Sequence, residues 1–174
     1  MGKFEEILKE YADFVINKSK ENLQKGGKYG SYNKSGALSS SLSYKIIQGK
    51  VSFLGENYGV FQDQGVKGSK SNYIESSESP YRYRNLKPPA QVFEKWIKTS
   101  NIQGRDKKTG RFITRKSLSF AIANSIFKKG IRATMFFTKP FEEALPLFED
   151  AMLEAYLDDN LNLEEWVQEY KQGH

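Results

Sequence analysis

The chain has 174 residues, with 27 basic and 21 acidic side chains, a formal charge of +6 and no cysteine. The single histidine is the last residue, His174, so disulfides, thiol catalysis, cysteine zinc sites, Ser-His-Asp catalysis and histidine metal clusters all fall away. The start, Met1-Gly2-Lys3-Phe4-Glu5-Glu6, carries acids where a signal peptide is apolar, and no later run reaches a membrane span, so a soluble intracellular protein is expected.

In chain order, Phe4, Ile7, Leu8, Tyr11, Val15 and Leu23 recur at three- and four-residue spacings and predict an amphipathic helix over 3–25, stopped by Gly26-Gly27. Residues 24–41 are rich in Gly, Ser and Lys and read as a long loop. Ser43 to Ile47 and Val51 to Leu54 read as a hairpin around Gln48-Gly49-Lys50, with Tyr58, Val60 and Phe61 as a third strand closed by Gly65. Residues 66–87 turn polar and read as a second long loop.

Pro88-Pro89 opens a short helix carrying Val92, Phe93, Trp96 and Ile97. Residues 104–116 form a basic loop with Arg105, Lys107, Lys108, Arg111, Arg115 and Lys116 against Asp106 alone. Leu118, Phe120, Ile122, Ile126 and Phe127 surround the axis of a helix over 117–129, expected to be the central buried one, and Gly130 ends it. Ile131 to Phe137 reads as another strand. Thr138 is an N-cap for a helix to about Leu157, with Phe141, Ala144, Leu145, Phe148, Met152 and Tyr156 as its apolar stripe. Pro146 requires that helix to begin late or to kink. A last short helix spans Leu163 to Tyr170, with Trp166 on its apolar face. Together these elements describe one domain over 1–174 of α+β class: a small antiparallel sheet packed against several helices.

Charge is divided unevenly. Residues 141–174 hold ten acids and one base, which leaves +15 on residues 1–140. Either two solvated faces neutralise each other within a monomer, or neighbouring copies complement one another. Tyr73, Tyr81, Arg82, Tyr83 and Arg84 make the best aromatic–basic cluster. It suits phosphate contact with base stacking, or a loop that orders against a protein partner. The acid pairs Glu142-Glu143 and Asp158-Asp159 point in different directions on a helix and read as solubilising rather than as a metal or acid–base site. The Gly26-Gly27-Lys28 and 65–68 stretches do not match a phosphate-binding loop. No constellation supports catalysis, and no cofactor or metal is expected.

Two stretches carry a resemblance. Asn57-Tyr58-Gly59-Val60-Phe61-Gln62-Asp63-Gln64-Gly65 resembles the Tyr-Ala-x-[Tyr/Phe]-x-Glu-x-Gly segment of the phage tail-completion, or head–tail joining, family, with Asp63 or Gln64 standing where that family has Glu. The stretch from Gly130 to Ala144, with Pro140-Phe141 at its heart, resembles the family's Arg-Pro-Phe-x-x-x-Ala motif before a last long helix. The motifs cover about 25 residues, and the element order matches over most of the chain. The distance between the motifs is longer than the family's.

The resemblance marks Tyr58, Phe61, Gly65, Pro140, Phe141 and Ala144 as motif positions. It implies a non-enzymatic virion protein of the neck or tail, made in the host cytoplasm. Its copies would form a ring, hexameric or dodecameric, between the portal or adaptor and the tail-tube or tail-terminator proteins, with packaged DNA in the lumen and no membrane partner. Candidate contact residues for that role are Tyr81, Arg82, Tyr83, Arg84, Arg105, Lys107, Lys108, Arg111 and Trp166. The alternative reading is a nucleic-acid-binding protein that uses the basic Tyr/Lys/Arg loops.

Overall fold

A computed structural model describes residues 2–26, 32 and 35–161. The elements are α1 (Lys3–Lys25), α2 (Ala37–Ser41), β1 (Ser43–Ile47), β2 (Lys50–Leu54), α3 (Gly59–Gln64), β3 (Val66–Lys67), a 3-10 turn (Ile74–Ser76), α4 (Ala90–Thr99), α5 (Arg115–Lys129), β4 (Gly130–Ile131) and α6 (Thr138–Leu161). The fold is α+β, with two small antiparallel sheets of two strands each among the described residues. The expected helix at 163–170, with Trp166, lies outside the described residues, as does most of the loop between α1 and α2. The chain divides into two compact units. Unit 1 combines residues 1–59 with 135–174, and unit 2 is the contiguous segment 60–134.

Unit 1 is built on α1 and α6, which run antiparallel: Phe4 meets Tyr156 edge to face, and Tyr11 meets Phe148 two turns further on. The α1 stripe delivers Leu8, Tyr11, Ala12, Val15, Ile16 and Leu23 to the core. Ser19 lies on the same face without penalty, because its hydroxyl donates to the Val15 carbonyl at 2.7 Å. The β1–β2 hairpin pairs Ile47 with Lys50 across a two-residue turn at Gln48-Gly49, both at positive φ, the geometry whose twist matches the strands. Its inward residues Tyr44 and Phe53 pack on α1, Leu38, Leu42 and Phe136. The α1 N-terminus takes its cap from far along the chain: the Asp159 carboxylate accepts from the amides of Lys3 (3.1 Å) and Phe4 (2.9 Å). Asp158 receives the Lys3 ammonium at 2.8 Å. The Asp158-Asp159 pair, expected only to solubilise α6, therefore closes the helix pair.

One expectation for α6 changes: Thr138 is already helical rather than flanking the helix. Of the two alternatives for Pro146, the late start does not occur, since Pro146 lies inside α6. The buried line of α6 is Pro140, Ala144 and Ala155, with Phe148 and Met152 half-buried. Phe141 lies at the rim with 37% of its surface exposed, and Leu145 is 50% exposed. The stripe read from the sequence is centred too far to one side: the small Ala144 is fully buried with Tyr11 and Val15, while Phe148 and Met152 are only partly buried against that cluster.

Four further expectations change between residues 58 and 137. Tyr58, Val60 and Phe61 do not continue the hairpin as a third strand: residues 59–64 form α3. Gly65, at φ +72°, ends that helix as a left-handed C-terminal residue rather than closing a strand. The segment 66–87 is not simply loop. It contains β3, which pairs with β4 (Val66 with Ile131, Lys67 with Gly130), and Lys67 also bridges Arg82 in parallel. The strand expected at 131–137 reduces to Gly130–Ile131.

Helix α5 is not a central buried helix. Only Ser119 and Ala123 are buried on it, and Phe120 is 59% exposed. It packs against α4, on which Ala90 and Ile97 are buried after the Pro89 N-cap. Apolar side chains on every face do not bring burial on every face: Phe120 and Ala121 are exposed, and Leu118, Ile122, Ile126 and Phe127 are half-buried.

Candidate interface surfaces

The two stretches that carry the family resemblance are joined through their backbones. In unit 2, the Thr134 amide donates to the carbonyls of Gln62 and Asp63 at 3.0 Å, and its hydroxyl donates to Gln62 at 2.8 Å. The Gly65 carbonyl accepts from the buried Ser79 hydroxyl at 2.8 Å. A β-carbon on Gly65 would stand 2.6 Å from the Ala133 nitrogen and 2.7 Å from the Ile131 carbonyl oxygen, so only glycine fits. A β-carbon on Gly130 would likewise meet the Val66 carbonyl. In unit 1, Gly59 faces Leu38 and Phe136. Tyr58 is half-exposed, and burial of the rest of its ring pushes its hydroxyl above the ordinary tyrosine value. Phe61 meets Tyr81 edge to face at 4.7 Å. Pro140 and Ala144 are fully buried, and Phe141 contacts the rings of Tyr11, Phe53 and Phe137 at about 6 Å.

The basic segment 104–116 is a tight hairpin-like turn. Arg105 bridges Phe112, and the Asp106 amide donates to the Arg111 carbonyl at 2.9 Å. The Asp106 carboxylate accepts from the amides of Thr109 and Lys108 and from the Thr109 hydroxyl. Those hydrogen bonds, from Thr109 foremost, hold its carboxyl below the usual carboxylate range. The lone acid of this loop is therefore its architect, folding the turn so that Lys107, Lys108 and Arg111 stand exposed. The Arg105 guanidinium lies over the Phe112 ring at 4.3 Å.

The Tyr81–Arg84 cluster adopts an extended course. The Lys67 amide donates to the Tyr81 carbonyl (2.8 Å), and the Tyr83 amide donates to the Lys67 carbonyl (2.9 Å). Alternation along an extended strand sends Tyr81 and Tyr83 to one face, against Phe61 and Phe127, and Arg82 and Arg84 to the other. Burial raises the Tyr83 hydroxyl above its ordinary value. These tyrosines are engaged inward rather than free to stack on bases.

Charge is divided between the two units as well as along the chain. Unit 2 carries sixteen bases, including every arginine of the chain, and five acids, net +11; unit 1 carries eleven bases and sixteen acids, net −5. Sequence reasoning missed Lys67, Lys70, Lys87, Lys128 and Lys129, which the β3–β4 pairing draws toward Arg82 and Arg84. The signal was present in Tyr81-Arg82-Tyr83-Arg84, whose period of two is that of a strand with one cationic face.

Among the described residues, no group of three or more His, Cys, Asp or Glu side chains could hold a metal ion, and no helix is long and apolar enough to cross a membrane. No protein-family model, curated protein or solved structure matches the chain.

Proposed function

We propose that the chain is a structural subunit of a tailed-phage virion: a tail-completion or neck protein whose copies form a ring joining the portal or adaptor to the tail. One observation carries the reading. The two stretches behind the resemblance, 57–65 and 130–144, lie far apart in the chain, yet they are interlocked by backbone hydrogen bonds around a glycine with no space for a side chain. A chance likeness of two short stretches has no reason to coincide with a folding contact; a shared architecture does.

The charge division supports head-to-tail association, in which the basic unit 2 of one copy faces the acidic α6 region of the next. The exposed apolar side chains Phe112, Leu145 and Leu147 supply anchors of the kind that hold such contacts. The ring's neighbours are portal or adaptor proteins on one side and tail-tube or terminator proteins on the other.

The test is joining in extracts of infected cells that lack the chain. Filled heads and finished tails accumulate separately, and adding the purified protein joins them. Normal joining without the chain contradicts the proposal. In a folded Arg105→Glu/Lys107→Glu/Lys108→Glu variant, added activity falls; undiminished joining removes the basic turn from the interface.

A further inference from the structure

We infer that the β3–β4 region of unit 2 is a docking surface for the phosphate backbone of duplex DNA, independent of base sequence. It stands apart from the ring proposal, since it concerns the isolated chain and one ligand.

The surface is assembled by three backbone segments. Lys67 is central: it pairs with Gly130 on one side and bridges Arg82 on the other. Paired residues project to the same face of a sheet, so Lys67 and Arg82 share a face on which Gly130 offers no side chain to cover them. Arg84 follows two residues on. Val66, Tyr81 and Tyr83 occupy the opposite face, where Val66 is buried and the tyrosines meet Phe61 and Phe127.

Lys128 and Lys129 enter immediately before Gly130, at the end of α5. Lysines at a helix C-terminus often serve the last carbonyls. Here those carbonyls are already occupied: Phe127 accepts from the Ser69 amide at 2.8 Å, and Lys128 accepts from the amides of Lys70 and Ser71 at 3.1 Å. Both ammonium groups are therefore left exposed. The same loop brings Lys70, and Lys87 sits over the Phe127 ring at 5.6 Å.

Seven cations thus surround one short strand pair: Lys67, Lys70, Arg82, Arg84, Lys87, Lys128 and Lys129. None forms an ion pair among the described residues. Of the acids in the 66–87 segment, Glu75 is taken by Arg132 at 3.3 Å, and Glu78 alone remains. A surface that gathers this much uncompensated charge repels itself until a polyanion neutralises it. Because the tyrosines face inward, it lacks the stacking platform that single strands require. It suits the regular phosphate spacing of a duplex, where arginine forks and lysines contact backbone oxygens.

The experiment is fluorescence anisotropy of a short labelled duplex with the purified full chain across a salt series. Contacts from five to seven of these cations give a log–log salt slope of about −4 to −6. Scrambling the duplex sequence leaves affinity unchanged. Arg82→Gln/Arg84→Gln/Lys128→Gln/Lys129→Gln makes the slope shallower by about 3 to 4, with an unchanged circular dichroism spectrum. Lys107→Gln/Lys108→Gln, on the separate 104–116 turn, keeps the steep slope. Absence of salt-dependent binding overturns the proposal, as does an equal loss in the two variants, which would trace binding to overall charge. Preference for the single strand over the duplex also overturns it. Should the quadruple variant misfold, the pairs Arg82→Gln/Arg84→Gln and Lys128→Gln/Lys129→Gln, each lowering the slope by about 2, carry the same test.

Discussion

Tyr11→Phe tests the packing of unit 1 at a single atom. The Tyr11 ring is at the centre of an aromatic cluster, edge to face with Phe53 (6.3 Å), Phe141 (6.1 Å) and Phe148 (5.8 Å). Its hydroxyl is buried and has no hydrogen-bond partner among the described residues. Burying a hydroxyl without a partner costs about 1–3 kcal/mol. Phenylalanine keeps the ring contacts and removes that cost, at the expense of a small void. The net expectation is a gain of about 1 kcal/mol, or about 2–4 °C in melting temperature for a chain of this size.

The same burial raises the Tyr11 hydroxyl above its ordinary value. A group whose pKa is higher in the folded state contributes stability that is complete below the unfolded value, about 10, and is lost as pH rises through the folded value. The advantage of the Phe variant therefore widens under alkaline conditions. Urea unfolding near neutrality and above about pH 10, followed by circular dichroism, measures both effects. A loss of stability near neutrality greater than about 0.5 kcal/mol would refute the reasoning, since it would mean that the hydroxyl has a partner worth about one hydrogen bond.

Three further substitutions probe the same account by urea unfolding. Asp159→Ala leaves the Lys3 and Phe4 amides uncapped and lowers stability by about 1 kcal/mol; no change would show that the cap is not formed in solution. Phe141→Ala removes a ring that is mostly but not wholly buried, so the loss is about 2 kcal/mol, below the range for a fully enclosed phenylalanine; a loss above about 4 kcal/mol would place it deep in the core. Gly65→Ala forces a β-carbon against the 131–133 backbone at positive φ and costs more than about 2 kcal/mol; a neutral result would mean that the two motif segments are not packed as described.

The parts of the fold that were legible in the sequence are those whose periodicity is long and one-sided. Helix α1 keeps a consistent stripe along its 23 residues, and the hairpin strands alternate cleanly around a turn that needs positive φ. Short elements were misread for a physical reason. Tyr58, Val60 and Phe61 fit alternation over too few residues to exclude a helix, and the contact of Gly65 with residues 131–133 that fixes the chain's course is not local. On α5, apolar side chains on every face suggested burial, whereas only Ser119 and Ala123 are buried. Of the candidate contacts, the exposed positions Arg82, Arg84, Arg105, Lys107, Lys108 and Arg111 were recognisable from composition. The convergence of Lys67 and Lys128-Lys129 on Arg82 depends on β3–β4 pairing between distant segments, which no local pattern encodes.

The central claim, a ring subunit of the virion neck, is tested most directly by quantitative mass spectrometry of purified infectious virions, with the portal protein as the internal standard. The account predicts peptides of this chain at a fixed, ring-sized ratio to the portal protein in every preparation, retained through density-gradient purification. Infectious virions that contain none of it would contradict the claim.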